Sequence, residues 1–409
     1  MKAGILSLFL FLNCIAVYAQ GDLFYSGALK SKREAAHRNI VRNIINKNLA
    51  LPVSDSTSED WVSALNAVQV LNYKSPWVNA RIADAISSGK GDRYFKKSLY
   101  ETLYALYPGY SRHVFEKLSQ ENDPLLYAMM AEYIIKSDSS LSQNVLQHVS
   151  ARYKADPDDH IKYLLDRHSP IYNVNLASIF SPDFLPGEVI VYSILRKDRS
   201  LPGIVVVRDT AGKFVKDSAG MLFSVAQLGR SVNNLPYYFK GGNTPQGLFR
   251  MNGFGISRSD FIGPTPNLQM LMPFESTGGE FMKDSTAPDT LSYMAYGSLL
   301  PASLQNSPQF YESWNAGKLG RSEIIAHGTT VNPDYYKNEP FYPLTPTLGC
   351  LSTIELWDPS DGRRQRSDQS KLIDAVTRAG GPTGYVFVFE IDDKKTPVLS
   401  GEILHLIPR

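Results

Sequence analysis

The chain has 409 residues, with 42 Lys and Arg against 40 Asp and Glu and a formal charge of +2. So even a balance, without a dense basic stripe, argues against a nucleic-acid partner, and two cysteines are too few for a disulfide scaffold. The length allows two or more domains with cores of their own.

The first expected element is a leader. MKAGILSLFLFLNCIAVYAQG sets Lys2 before an apolar run to Val17, and Val17-Tyr18-Ala19 reads as a small-residue cleavage site. Residues 1–19 fit a secretory signal peptide, too short and too poorly flanked for a stable membrane span. Asn13 before Cys14 is a poor match to the small residue that lipidation requires. Cleavage removes Cys14 and leaves Cys350 as the single thiol. The expectation is an exported protein of the periplasm or cell wall, with no transmembrane segment after cleavage.

Residues 25–172 read as an all-α domain, a stack of helix pairs. Ile40, Val41, Ile44 and Ile45 make one apolar stripe, Trp61, Leu65 and Val68 a second, and Phe95, Leu99, Leu103 and Leu106 a third. Asp123-Pro124 opens the nearly all-apolar LLYAMMAEYII, a central buried helix. Ser140-x-x-Gln143 has the form of a capping box. Asp158-Asp159 starts a last helix carrying Ile161, Leu164 and Leu165.

The pattern then changes, and residues 185–409 read as a mostly-β domain. VIVYSIL (189–195), GIVVVRD (203–209), EIIAH (323–327) and GYVFVFEI (384–391) are strands by length and β-branched content. Asp209-Thr210-Ala211-Gly212 supplies a hairpin turn. One late helix is expected over 368–380, ended by Gly380-Gly381-Pro382.

Cys350 lies in TPTLGCLST (345–353). A lone cysteine is either a small buried hydrophobe or a nucleophile. A nucleophile needs a base to take its proton and amides to receive the oxyanion. His327 closes the strand EIIAH and is followed by Gly328, so it can face a cleft; Gly349 lets the backbone turn before the thiol.

EIIAHGTT followed by TPTLGCLS resembles the signature of the L,D-transpeptidase (YkuD-like) family, a strand ending in His-Gly, a loop, then Ser/Thr-His-Gly-Cys. GGNTPQGLFRMNG (241–253) is similar to that family's Thr-Pro-x-Gly-x-Phe segment and stands upstream of the histidine in the same order. The resemblance spans roughly residues 185–395 at the level of motifs. It implies a sandwich-like catalytic domain in which Cys350 attacks a carbonyl of a peptidoglycan stem peptide to form a thioester. His327 acts as base and then acid, oriented by the Gly328 carbonyl, and amides at Gly349 and Cys350 form the oxyanion hole. The family's chemistry uses no metal or cofactor. Thr347, Ser352, Tyr336 and Tyr342 are the candidate substrate contacts.

The sequence departs from the family at three places. Leu348 stands where many members have His, Ser352 where they often have Arg or Asn, and the interval from His327 to Cys350 is long. The extra length carries Tyr335, Tyr336, Phe341 and Tyr342, which either lid the cleft or pack the loop onto the sheet. These departures keep a hydrolase using the same thioester, and a non-catalytic wall-binding scaffold, as alternatives. The helical domain is expected to position the enzyme on the wall or on an envelope protein. His160 and His168 near aspartates are better explained by capping than by a metal. Arg363, Arg364 and Arg366 read as a solvated loop, or, being close to Cys350 in sequence, as contacts to a substrate carboxylate.

Overall fold

Helices follow one another from Lys30 to Arg167 in the computed structural model, which describes residues 23–154, 157–169 and 175–408. The expected leader, with Cys14, lies outside the described residues. The helix starts follow local chemistry. Ser75 accepts from Val78 N ahead of the helix Pro76–Ser88, and Asp92 from Phe95 N ahead of Arg93–Leu106. Asp123 accepts from Leu125 N and Leu126 N ahead of Pro124–Ser137, whose residues Leu126 to Ile134 are all buried. The Ser140 capping box does not form. Asp138 accepts from Ser140 N instead, and a 3-10 turn precedes the helix Ser142–Arg152.

Ten strands follow among the described residues: β1 (Val189–Arg196), β2 (Gly203–Arg208), β3 (Val225–Leu228), β4 (Gly247–Gly255), β5 (Asn267–Leu271), β6 (Ala326–His327), β7 (Leu351–Thr353), β8 (Glu355–Trp357), β9 (Arg364–Ser367) and β10 (Thr383–Asp392). Eight close into a mixed barrel in the order β1-β10-β4-β5-β6-β7-β3-β2, and β8 and β9 pair separately. The turn after β2 forms the expected hairpin, with Asp209 N bonded to Lys213 O at 2.8 Å.

This corrects the expected fold. The β region is a closed barrel rather than a sandwich, because β1 pairs in parallel with β10 at the far end of the chain and antiparallel with β2. Such long-range pairing removes the open edges that separate two sheets. The helical region is likewise not a self-contained all-α domain. Its core residues, Trp61, Leu103 and Met129 among them, belong to one continuous apolar cluster with Val191, Phe249 and Val388 of the barrel. Further helices occur just before β1, at Ala177–Phe180, and among the strands, at Gly278–Met282, Tyr293–Ser298 and Glu312–Lys318, besides the expected Asp368–Arg378. These first four are short and carry Gly, Tyr and Ser, so they lack the long apolar period by which a helix is read from sequence.

Both faces of β1 are buried. Val189, Val191 and Leu195 share a cluster with Leu372 and Val376 of the helix Asp368–Arg378, which packs against β2, β3, β5 and β7. Ile190, Tyr192 and Ile194 face a second, aromatic cluster with Phe180, Phe387 and Phe310. Polar ties hold the helices to the barrel. Tyr238 OH donates to Glu132 Oε1 at 2.7 Å, and Arg167 and His168 reach Glu132 Oε2 at 2.9 and 3.2 Å. No helix among the described residues is long and apolar enough to cross a membrane.

Candidate cysteine–histidine site

The parallel pairing of β6 with β7 sets the segments that carry the two candidate residues side by side. Ala326 pairs with Leu351 and His327 with Ser352. Leu351 N extends the ladder to Ile325 O at 3.0 Å. Side chains alternate along a strand, so Cys350, two residues before Ser352, shares the face of His327 and Ile325. Leu351 and Ala326 point the other way, into the core. Gln369, on the helix Asp368–Arg378, fastens the pair: its Nε2 donates to Ala326 O at 2.9 Å and its Oε1 accepts from Thr353 Oγ1 at 3.0 Å.

His327 is buried, and its Nδ1–H donates to the Gly328 carbonyl. That bond sets the tautomer and leaves Nε2 as an acceptor. Burial lowers the imidazole pKa to about 4 against the opposing pull of the Gly328 bond, so the ring is neutral at pH 7. Behind Gly328 lies Glu355, 2 % exposed. Its Oε1 accepts from Thr265 Oγ1, Arg364 Nη1 stands 3.8 Å away, and Oε2 has no hydrogen-bond partner among the described residues. Burial pushes the Glu355 carboxyl up to about 7.

Cys350 keeps partial contact with solvent although protein closely surrounds its sulfur. In this state the thiol donates to Glu323 O at 3.6 Å rather than to His327. Glu323 is a non-glycine residue with φ +61°, and its amide is held by Glu275 Oε1 at 2.7 Å. Burial pushes the thiol up to about 11; the Ile325 amide and Arg321 oppose this, and Glu323 and Glu275 add to it. The resting pair is therefore thiol and neutral imidazole.

The loop before the thiol is held from several sides. Thr347 Oγ1 accepts from Gly349 N at 3.0 Å and donates to Cys350 O at 2.8 Å. Thr244, within GGNTPQG, donates to Gly349 O at 2.8 Å. Gly349 adopts φ +123°, and a Cβ there would fall 2.4 Å from Arg321 Nη2. Buried Arg321 donates to the carbonyls of Tyr237, Asn243 and Gly242, joining that segment to the strand leading to His327.

The candidate substrate contacts do not all reach this site. Ser352 is buried and donates to Thr345 O at 2.7 Å, so it is not presented to a substrate. Tyr336 is also buried. Its hydroxyl donates to Val70 O at 2.6 Å and its ring packs with Phe341, Leu344 and Leu228, so the long loop is stapled to the helices there. Thr347 shapes the thiol loop from within. Tyr342 stays exposed, as does Leu348 at 71 % beside Gly349. The Gly349 amide expected in the oxyanion hole is engaged by Thr347. His160 and His168 bond to different carboxylates, Asp158 and Glu132. Arg364 and Arg366 pair with Glu355 and Asp368 rather than facing solvent unpaired.

Arg321, Thr244, Gln369 and Glu355 were not singled out by sequence reasoning. Thr244 had a signal, since it lies in the segment quoted for the family resemblance. The other three act through contacts that no local pattern encodes. No family model, curated protein or solved structure matches the chain.

Proposed function

We propose that this protein is an exported cysteine acyltransferase of the L,D-transpeptidase kind, acting on peptidoglycan stem peptides through a Cys350 thioester. The observation that supports the reading is the His327–Ser352 pairing, which runs the segment with Cys350 beside that with His327, together with the Gly328 carbonyl that locks Nδ1. The motif resemblance supports the substrate class; the closed barrel is not the sandwich that the resemblance implied, so the reading rests on the site alone.

In the reaction, the Cys350 thiol turns from Glu323 O toward His327 Nε2. The imidazole takes its proton as sulfur attacks the stem-peptide carbonyl. The tetrahedral intermediate collapses with cleavage of the C–N bond, and the imidazolium protonates the departing amine. An acceptor amine on a second stem then attacks the thioester, gives its proton to His327, and releases the thiol. Because the resting thiol is protonated, activation accompanies attack instead of preceding it. Arg321 beside the sulfur favours the developing negative charge. Water in place of the amine would make the protein a carboxypeptidase on the same intermediate. The helical region would serve to seat the barrel on the wall or an envelope partner.

Intact-mass analysis of the mature protein with a tetrapeptide muropeptide, beside Cys350→Ala, tests the reading. A thioester adduct, or loss of the terminal residue, seen only with the thiol establishes the nucleophile. With an acceptor amine present, a cross-linked dimer marks a transferase and a tripeptide alone a hydrolase. A folded protein that gives neither, and matches Cys350→Ala, would favour the scaffold reading.

A further inference from the structure

A cavity of about 180 Å³ separates the helices from one end of the barrel, and Lys136, Tyr104, Arg167, Arg199, Glu312 and Glu390 help to line it. On the helical side, Lys136 Nζ donates to Tyr104 O at 2.8 Å and stands 3.8 Å over the Tyr104 ring, but makes no ion pair among the described residues. Arg230, in the segment after β3 and outside the lining, repels Lys136, and its Nε is buried without a hydrogen-bond partner among those residues. Arg167 is already matched by Glu132. Lys136 thus touches no carboxylate, although Asp198, in the same lining, and Glu132 attract it from farther off.

The barrel side mixes Lys197 and Arg199 with Asp198, Glu312 and Glu390. Arg199 Nε pairs with Glu390 Oε1 at 2.9 Å; Glu312 beside them makes no ion pair among the described residues, although Arg199 attracts it. Glu312 accepts from Gln246 N at 2.8 Å and Gln246 Nε2 at 3.2 Å, both neutral donors. Burial, and then the repulsion of Glu390, push its carboxyl up to about 7. Lys136 and Glu312 thus line the cavity, each without an ion-pair partner among the described residues.

We propose that this cleft is a binding site for an amino-acid zwitterion, whose carboxylate meets Lys136 and whose ammonium meets Glu312. Each pole replaces a repulsion between like charges with an attraction inside a confined, poorly screened space. The volume suits a single small residue, and Tyr104 offers an apolar wall for its side chain. Thr244 belongs both to the lining and to the hydrogen bond that steadies Gly349, so an occupant would contact the segment behind the thiol. The cleft does not depend on the proposed acyl transfer and is tested without it.

Isothermal titration of the Cys350→Ala protein with alanine, N-acetylalanine and alanine methyl ester decides the matter. Saturable binding of alanine with a dissociation constant on the order of a millimolar is expected for so small a ligand. Both blocked analogues, each lacking one charge, should bind at least roughly tenfold more weakly. Lys136→Met and Glu312→Gln should each cause a similar loss while circular dichroism stays unchanged; should Glu312→Gln misfold, the N-acetylalanine comparison tests the ammonium pole in its place. Absence of saturable binding to the folded protein overturns the proposal. So does N-acetylalanine binding as well as alanine, which would make the cleft a plain anion site, or binding unaffected by the variants.

Discussion

The carboxyl of Glu355 lies directly against the α-carbon of Gly328, so that a Cβ on Gly328 would fall 2.2 Å from Glu355 Oε2. Gly328 also supplies the carbonyl that holds His327 Nδ1. One residue thus fixes the orientation of the base, and its lack of a side chain is what admits the buried acid behind it. Gly328→Ala should overpack this contact at a cost of about 1–3 kcal/mol. Urea denaturation measures that loss, and thioester formation should fall further than stability alone explains because the imidazole is displaced.

Glu355 also makes stability depend on pH. Its folded pKa of about 7 exceeds the ordinary 4.5. Between those values the folded chain holds a proton that the unfolded chain releases, so this group's contribution is most favourable below about 4.5 and declines as pH rises through 7. Glu355→Gln removes the titration. Its melting temperature relative to wild type should therefore climb from pH 4.5 to pH 7; a constant difference would contradict the buried, raised carboxyl.

Thiol reactivity gives an independent check of the resting state. With Cys350 at about 11, alkylation by iodoacetamide should be slow at pH 7 and keep accelerating well above the pH at which an ordinary cysteine levels off. A profile that saturates below pH 7 would instead mean a preformed thiolate–imidazolium pair.

Arg321→Ala strips three backbone carbonyls, of Tyr237, Gly242 and Asn243, of a charged donor. The expected destabilisation is on the order of 3 kcal/mol. Arg321→Lys should recover only part of it, because an ammonium cannot reproduce the planar fork. Chemical denaturation of both variants separates this from a pure charge effect.

Glu132→Gln tests the tie between helices and barrel. Burial opposes ionisation of Glu132, but Arg167, His168 and Tyr238 together overcome it and hold the carboxyl down to about 2. A charge with those partners, once neutralised, leaves Arg167 uncompensated, at a cost of about 3–5 kcal/mol in equilibrium unfolding. In wild type this contribution is present above pH 4.5 and is lost as pH falls toward 2.

The linear sequence settles what depends on neighbours along the chain. The apolar run after Asp123-Pro124 is a buried helix with Asp123 as its cap, and β1, β2 and β10 fall on β-branched runs, because caps and strand propensity act over a few residues. His327 and Cys350 are legible for a similar reason, each standing beside a glycine in a short motif. Closure of the barrel was not legible. It depends on β1 meeting β10 nearly two hundred positions away and on β6, only two residues long, whose partner is chosen by the whole sheet. Tertiary structure alone also decided the fates of Ser352 and Tyr336, polar residues in candidate substrate positions that are buried as internal hydrogen-bond donors. It likewise set Arg321 under Gly349 and Glu355 behind Gly328. Burial and electrostatic environment are properties of what surrounds a side chain in space, and there the chain's own order carries no distance.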